Sequence, residues 1–198
     1  MSVLMTAIKM LAIWEGTSVA RENIERSSYY NQMREYADSV GKPLLMIGMP
    51  RWAWQPQEAD VILDIDPNVE SIAGGVQGDI LNIPYPDKTF GGCYVAHVLE
   101  HMYSTEECEK AINECVRVSD RVAFLCPSPY SLISNLLMPS HHLRLWFDQS
   151  NNRIRVTDNR YHTGWGWHSY EASPAGIGNA MIVDTLPEIQ RIGSTYII

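Results

Sequence analysis

Four short apolar segments constrain the fold of this 198-residue chain more than any other feature. They lie at residues 43–47, 59–64, 90–98 and 121–126. Apolar runs of this length, bounded by turn residues, are typical of strands buried on both faces of a parallel sheet. Residues 104–118 open with an acidic turn and carry apolar side chains on one side, which predicts a helix. Strands that alternate with helices indicate an α/β fold with a mainly parallel, doubly wound sheet.

The first 40 residues predict a helical extension that precedes this domain. Residues 3–14 are apolar apart from Thr6 and Lys9, and residues 17–40 are polar and rich in helix formers, forming one or two helices. The apolar run is shorter than the ~20 residues of a membrane-spanning helix, and it lacks the early positive charge of a secretory signal. We expect it to pack on its own domain or on a partner, with an interfacial membrane helix as the less favoured alternative. Residues 41–198 then form the α/β domain.

The charge balance and the cysteines indicate which partners and which cellular compartment are expected. The chain carries 15 Lys and Arg against 23 Asp and Glu, a net charge of -8, which argues against a broad nucleic-acid-binding surface. The four cysteines show no C-x-x-C spacing, and buried free thiols in a reducing compartment are the expected arrangement. We therefore expect a cytoplasmic protein.

The last third of the chain is less clearly patterned. Residues 131–138 are apolar and predict a helix, residues 153–157 alternate like an edge strand, and residues 161–174 form a loop rich in glycine and aromatic side chains. Residues 181–183 and 196–198 can close the sheet as antiparallel strands.

The stretch from Gly78 to His101 is the most informative about function. It contains Gly78-Asp79, an Ile-Pro-Tyr-Pro-Asp run at 83–87, Thr89-Phe90 and the sequence His-Val-Leu-Glu-His at 97–101, and a Glu-Cys-Val-Arg-Val run follows at 114–118. In this order the motifs resemble the class I S-adenosylmethionine-dependent methyltransferases, in particular those that act on small molecules. The resemblance covers roughly residues 43–130. It implies a Rossmann-like sheet and S-adenosylmethionine as the cofactor.

The ends of the predicted strands supply candidate residues for that cofactor. A doubly wound sheet binds its ligand beyond the carboxyl ends of its strands. Asp64 ends the second predicted strand, where a carboxylate can accept hydrogen bonds from both ribose hydroxyls, and Asp66 is the near alternative. Either aspartate can instead cap a turn before Pro67.

The resemblance implies four further cofactor contacts. Asp79 would accept a hydrogen bond from the adenine amino group, although it can also cap its own loop, and Ile80 would supply apolar contact with the ring. Gly48 would lie in the loop that approaches the cofactor. His97, which follows the third predicted strand, would also contact the cofactor.

The loop after the first strand departs from the family, whose loop is rich in glycine. Residues 47–54 retain one glycine, Gly48, beside Met49, Pro50 and two tryptophans, and Gly91 stands where the family has an acid. Glycines let a backbone approach a cofactor with no Cβ in between. Two functions therefore stay open: methyl transfer to a small molecule or an unidentified polar substrate, and a catalytically silent fold that serves as a scaffolding subunit.

The five residues from His97 to His101 also match the H-x-x-E-H pattern of inverted zinc proteases. That chemistry requires both histidines on one turn of a helix, with the glutamate as general base. Here His97 directly follows a strand-like run, so we expect no metal site.

The histidine pair at 141–142 and an aromatic cluster complete the candidates. His141 or His142 can line the substrate side of the site, as a histidine does in many methyltransferases, or lie on the surface. Trp165, Trp167 and Tyr170 can form a lid or, like the N-terminal helix, contact a protein partner, because Trp and Tyr are enriched at interface cores.

Overall fold

The computed structural model describes residues 3–51, 55–56, 58–127, 131, 138–158, 177–178 and 180–191. These residues contain two α-helices, ten strands, and 3-10 helices at Pro67–Ser71, Leu99–His101 and Gln149–Asn151. The helices are α1 (Val3–Ser39) and α2 (Thr105–Val118). The strands are β1 (Leu44–Ile47), β2 (Val61–Asp64), β3 (Gly75–Gln77), β4 (Phe90–Ala96), β5 (Ser119–Leu125), β6 (Leu143–Asp148), β7 (Arg153–Asp158), β8 (Ile177–Gly178), β9 (Ala180–Val183) and β10 (Glu188–Arg191).

Six strands form the central sheet, in the order β3-β2-β1-β4-β5-β9. The first five are parallel, and β9 pairs antiparallel with β5. This confirms the α/β fold with a mainly parallel sheet, and the antiparallel closure predicted at 181–183. The order reverses between β1 and β4, which makes the carboxyl ends of these two strands the switch point where doubly wound sheets bind ligands.

A second sheet, in the order β10-β7-β6-β8, was not predicted. The segment expected at 153–157 is a strand, but its edge position is wrong. Strand β7 lies inside this sheet, paired antiparallel with β6 and parallel with β10. Apolar and polar residues alternate along β7 because only one of its faces packs on the core. Ile154 and Val156 are fully buried there, whereas Arg153 and Arg155 lie on the opposite face.

The central sheet is covered on both faces, and alternate residues of β1 show which face is which. Leu44 and Met46 pack with Met33 and Ala37 of α1. The intervening residues Leu45 and Ile47 face α2 and the second sheet. Because successive side chains of a strand point to opposite faces, each central strand must carry apolar residues on both faces.

Helix α1 is one helix of 37 residues and contains most of the predicted extension. Most side chains of its apolar start are exposed, so its packing on its own domain or on a partner stays a prediction. Leu4, Ile8 and Ile13 are 68%, 51% and 61% exposed. No helix among the described residues is long and apolar enough to cross a membrane.

Helix α2 forms where the sequence predicted it. The hydroxyl of Ser104 accepts a hydrogen bond from the amide of Glu107 at 3.2 Å, which caps the first turn. Ala111, Ile112 and Cys115 are fully buried against the sheet. As predicted, all four cysteines are buried and free: Cys93, Cys108, Cys115 and Cys126. The cytoplasmic location stays a prediction.

The segments 131–138, 161–174 and 196–198 lie largely or wholly outside the described residues, and so do Trp165, Trp167 and Tyr170.

Candidate functional site

A cavity of about 740 Å³ lies at the switch point of the central sheet. The ends of β1, β2 and β4, the loop after β3 and the middle of α1 form its wall. Six of the seven site residues proposed from the sequence contribute to this wall: Gly48, Asp64, Asp79, Ile80, His97 and His141.

Gly48 begins the loop after β1 and requires the absence of a side chain. Its φ is +93°, in the region that favours glycine, and its amide donates to the carbonyl of Leu63 at 2.9 Å. A Cβ at this position would lie 3.2 Å from Cγ2 of Val98. The next residues, Met49 and Pro50, also line the cavity, whereas residues 52–54 lie outside the described part of the chain.

Asp64 and Asp66, the two alternatives for the ribose contact, occupy different places. The Asp64 carboxylate accepts hydrogen bonds from the amides of Met49 at 2.6 Å and Asp66 at 2.8 Å, and it lines the cavity. A carboxylate has about four acceptor positions, so about two remain on Asp64. Asp66 is not part of the cavity wall, and its side chain caps the following 3-10 helix by accepting from the Asn68 amide at 2.9 Å.

The loop after β3 supplies Asp79 and Ile80. Asp79 is exposed, and its Oδ1 accepts from the Leu81 amide at 2.8 Å, so it does cap its own loop while it borders the cavity. Ile80 is 7% exposed and supplies an apolar part of the wall.

The loop at 83–87 is held to α2 by Glu114 and Arg117, the pair singled out in the motif at 114–118. Glu114 accepts from the Ile83 amide at 3.0 Å. Arg117 donates to the carbonyls of Ile83 and Tyr85 at 3.0 and 2.9 Å and pairs with Asp87 at 2.8 Å. The hydrogen bonds with Glu114 and Asp87 raise the pKa of Arg117, and the bond with Arg117 lowers the pKa of Glu114. This pair therefore fixes the shape of the loop at 83–87, which follows the cavity residues Asp79 and Ile80 in the chain.

His97 directly follows β4 and has a left-handed backbone conformation, with φ at +59°. Its Nε2 lies 2.7 Å from Oε1 of Glu22, and its Nδ1 lies 3.4 Å from Oε1 of Glu100. Its amide donates to the carbonyl of Leu125 at 2.9 Å, which anchors the turn to β5. His97 therefore lies between two carboxylates at the base of the cavity.

The sequence reasoning missed the contribution of α1 to this site. Arg26 lines the cavity, is 5% exposed, and donates to Glu22 at 2.9 Å. Burial alone would raise the pKa of Glu22, but His97 and Arg26 outweigh burial and lower it. The signal in the sequence was the spacing of Glu22 and Arg26, four residues apart on one face of a helix.

The two histidines proposed for the substrate side are separated by the structure. His141 lines the cavity, and its ring packs edge-on against His101 with 4.9 Å between the ring centroids. His142 is not part of the cavity wall, and its ring lies 4.8 Å from that of Tyr103.

The arrangement of an inverted zinc protease is not formed. His97 directly follows a strand, whereas Glu100 and His101 lie on the short 3-10 helix that comes next, so the two histidines do not share a helical turn. His97 contacts Glu22 and Glu100 instead.

The strand order, the motifs at 78–101 and the cavity at the switch point are similar to those of class I S-adenosylmethionine-dependent methyltransferases. Residues 53–125 match the family model described as a methyltransferase domain, which confirms the resemblance found in the sequence.

The chain is also similar to solved structures, two of which are N-methyltransferases. The N-methyltransferase NodS from Bradyrhizobium japonicum WM9, in complex with S-adenosyl-L-homocysteine, is 17% identical over 50% of this chain and 60% of its own, with a TM-score of 0.35. A second NodS structure from the same organism is 18% identical over 50% of this chain and 66% of its own, also with a TM-score of 0.35. This chain therefore spans less than two thirds of either NodS chain. No curated protein is significantly similar to the chain in sequence.

Proposed function

We propose that this protein transfers a methyl group from S-adenosylmethionine to an acceptor that binds in the same cavity. The observation that carries the proposal is the position of Asp64. Its carboxylate ends β2, lines the cavity at the switch point and retains acceptor positions beside the loop of Gly48.

The residues of the wall fit the nucleoside part of this cofactor. Asp64 would accept hydrogen bonds from the ribose hydroxyls, and Asp79 would accept one from the adenine amino group. Ile80 would pack on the adenine ring. Gly48, with no side chain and a φ of +93°, leaves the backbone open to the ligand.

The remaining residues of the wall favour a polar acceptor. S-adenosylmethionine supplies an electrophilic methyl group when it is bound. The protein must then align the acceptor with that group, because methyl transfer depends mainly on positioning. Met49, Val98 and Met102 give the cavity apolar surface that excludes water. Arg26 and His141 lie in the same wall and give it polar groups that a small, polar acceptor could contact.

Replacing Asp64 with alanine is expected to weaken the binding of S-adenosylmethionine and S-adenosylhomocysteine by about 10- to 100-fold, because a hydrogen bond to a charged group contributes about 1.5–3 kcal/mol. Isothermal titration calorimetry measures this loss directly. The matched control is Asp66→Ala, which removes a carboxylate two residues away that is not part of the cavity wall.

Two results would contradict the proposal. If the unaltered protein gives no binding heat with either ligand at millimolar concentration, the cofactor is not bound. If both variants bind as tightly as the unaltered protein, Asp64 does not hold the ribose.

A scaffolding role is the second candidate, and the exposed apolar start of α1 favours it. Leu4, Ile8 and Leu11 are spaced along one helical face and are 68%, 51% and 48% exposed. Apolar side chains gathered in this way are typical of a surface that contacts another protein. This function does not require the cavity to bind a cofactor.

The double variant Ile8→Ser and Leu11→Ser is expected to release any protein partner while S-adenosylhomocysteine binding is unchanged, because both positions lie far along α1 from Arg26 and the cavity. Size-exclusion chromatography of the protein isolated from its source shows whether it elutes in a complex. Ile24→Ser is the control, since this residue is 72% exposed but lies outside the apolar run. Elution of the unaltered protein as a monomer would contradict the scaffolding role.

A further inference from the structure

The turn after β4 and the segment before β6 bring one carboxylate and two imidazoles together in the cavity wall. We propose that Glu100, His101 and His141 bind a divalent transition-metal ion. One ligand atom from each of the three residues lies within 4.8 Å of the other two. All three residues line the cavity that contains Asp64 and Gly48.

Glu100 gives the first reason to place a cation here. The residue is 2% exposed, and neither carboxylate oxygen makes a hydrogen bond to a nitrogen or oxygen donor among the described residues. Nδ1 of His97 lies 3.4 Å from Oε1, and the buried thiol of Cys126 is a further neighbour of the carboxylate. A buried carboxylate is costly unless it is paired, hydrogen-bonded, protonated or bound to a metal ion. A metal ion would place a positive charge directly on this carboxylate.

His101 gives the second reason to place a cation here, because the hydrogen bond of its Nδ1 leaves Nε2 to bind the ion. Nδ1 lies 2.9 Å from the carbonyl oxygen of Ser140. A carbonyl oxygen only accepts hydrogen bonds, so Nδ1 carries the proton and Nε2 carries the lone pair. Histidines that bind metals are oriented in this way, by a carbonyl or carboxylate that accepts from the other ring nitrogen. The same segment places the ring of His141 edge-on to that of His101, with 4.9 Å between the centroids.

The chemistry of these ligands selects the type of metal. Two imidazole nitrogens and one carboxylate oxygen suit zinc, iron(II), manganese(II) or cobalt(II), whereas magnesium prefers oxygen ligands. Three protein ligands would leave coordination positions open, and all three residues line the cavity. The H-x-x-E-H spacing therefore does contribute to a metal site, but through Glu100 and His101 rather than through His97.

The site also indicates a class of acceptor, an inference that rests on the proposed methyl transfer. A divalent ion held by Glu100, His101 and His141 would act as a Lewis acid toward a hydroxyl group of the acceptor. That hydroxyl would lose its proton to solvent more easily, and its oxygen would be a better nucleophile toward the methyl group. The acceptor would then be an alcohol or a phenol.

Calorimetric titration of the full chain, first stripped with EDTA, tests the site. Zinc chloride and manganese chloride are expected to bind with one equivalent, and magnesium chloride much more weakly. Glu100→Gln, His101→Ala and His141→Ala are each expected to lower the zinc affinity by roughly 100-fold or more, because loss of even an outer partner of a metal ligand costs 10- to 100-fold. His142→Ala is the matched control, since it removes the neighbouring histidine that is not part of the cavity wall.

Thermal unfolding with and without zinc separates a lost ligand from a lost fold. Zinc should raise the melting temperature of the unaltered protein and of His142→Ala, but not of Glu100→Gln, which keeps the shape of the side chain. The absence of stoichiometric zinc or manganese binding would overturn the proposal, and so would equal zinc affinity in all four variants. S-adenosylhomocysteine binding to the stripped protein tests the proposed function separately: it persists if only the metal site is wrong.

Discussion

Replacing Gly92 with valine is expected to lower the free energy of unfolding by about 3 kcal/mol, because the backbone of α1 occupies the space that a side chain would need. A Cβ at Gly92 would lie 2.7 Å from the carbonyl oxygen of Met33 and 3.0 Å from Cδ1 of Leu44. Both neighbours are fully buried, so neither can move without repacking the core. Urea unfolding followed by circular dichroism measures the loss.

The effect should extend to the cavity, because α1 also carries Glu22 and Arg26. A helix forced away from β4 displaces both residues, so S-adenosylhomocysteine affinity should fall together with stability. Gly16→Ala is the control. This residue also lies in α1 but has no atom within 4 Å of a built Cβ, so alanine should stabilise the protein by about 0.5–1 kcal/mol. If Gly92→Val leaves stability unchanged, α1 does not pack on β4 in solution.

The second large effect is expected from Arg117→Ala, which should lower the free energy of unfolding by about 2 kcal/mol. The guanidinium joins α2 to the loop at 83–87 through two backbone carbonyls and two carboxylates. Its removal leaves the carbonyl of Ile83 and the carboxylate of Glu114 without this donor. Arg117→Lys should recover only part of the loss, since an ammonium group cannot match the planar, forked geometry of the guanidinium.

Arg191→Ala is the matched control for this variant. Arg191 also pairs with two carboxylates, those of Glu106 and Glu109, both at 2.6 Å. However, it binds no backbone group of a loop and it is 47% exposed, so solvent screens the interaction. Its loss should change stability far less than the loss of Arg117. Equal effects of the two substitutions would mean that Arg117 is only another surface ion pair.

The buried elements of the fold could be predicted because the pattern of apolar and polar residues in each element depends on which of its faces are covered. Strands β1 and β4 and most of β2 and β5 are apolar because both faces of the sheet are covered. Helix α2 shows its cap at Ser104 and one apolar face. The continuous length of α1 could not be predicted in this way. Although Leu4, Ile8 and Leu11 share a face, the apolar residues of the whole helix do not keep to one side, and most side chains of its first turns are exposed.

Part of the candidate site could also be predicted from the sequence. Gly48, Asp64 and His97 follow strand ends, and the topology alone brings strand ends together. Arg26 reaches the cavity only because α1 crosses β4 closely, which depends on contacts distant in sequence. The same crossing explains why position 91 is a glycine. A Cβ there would lie 2.8 Å from Cα of Ala37, so the packing of α1 excludes a carboxylate.

Helix α1 also has a mechanical consequence. It is one unbroken element of 37 residues, roughly 55 Å long at ~1.5 Å per residue. Its last third is fixed to the sheet through Met33 and Ala37, its middle supplies Arg26 to the cavity wall, and most side chains of its first turns are exposed. A stiff rod of this kind transmits a force applied at one end to the residues along its length. A molecule that bound the exposed end would therefore act directly on the shape of the cavity, with no separate hinge or loop to relay the signal.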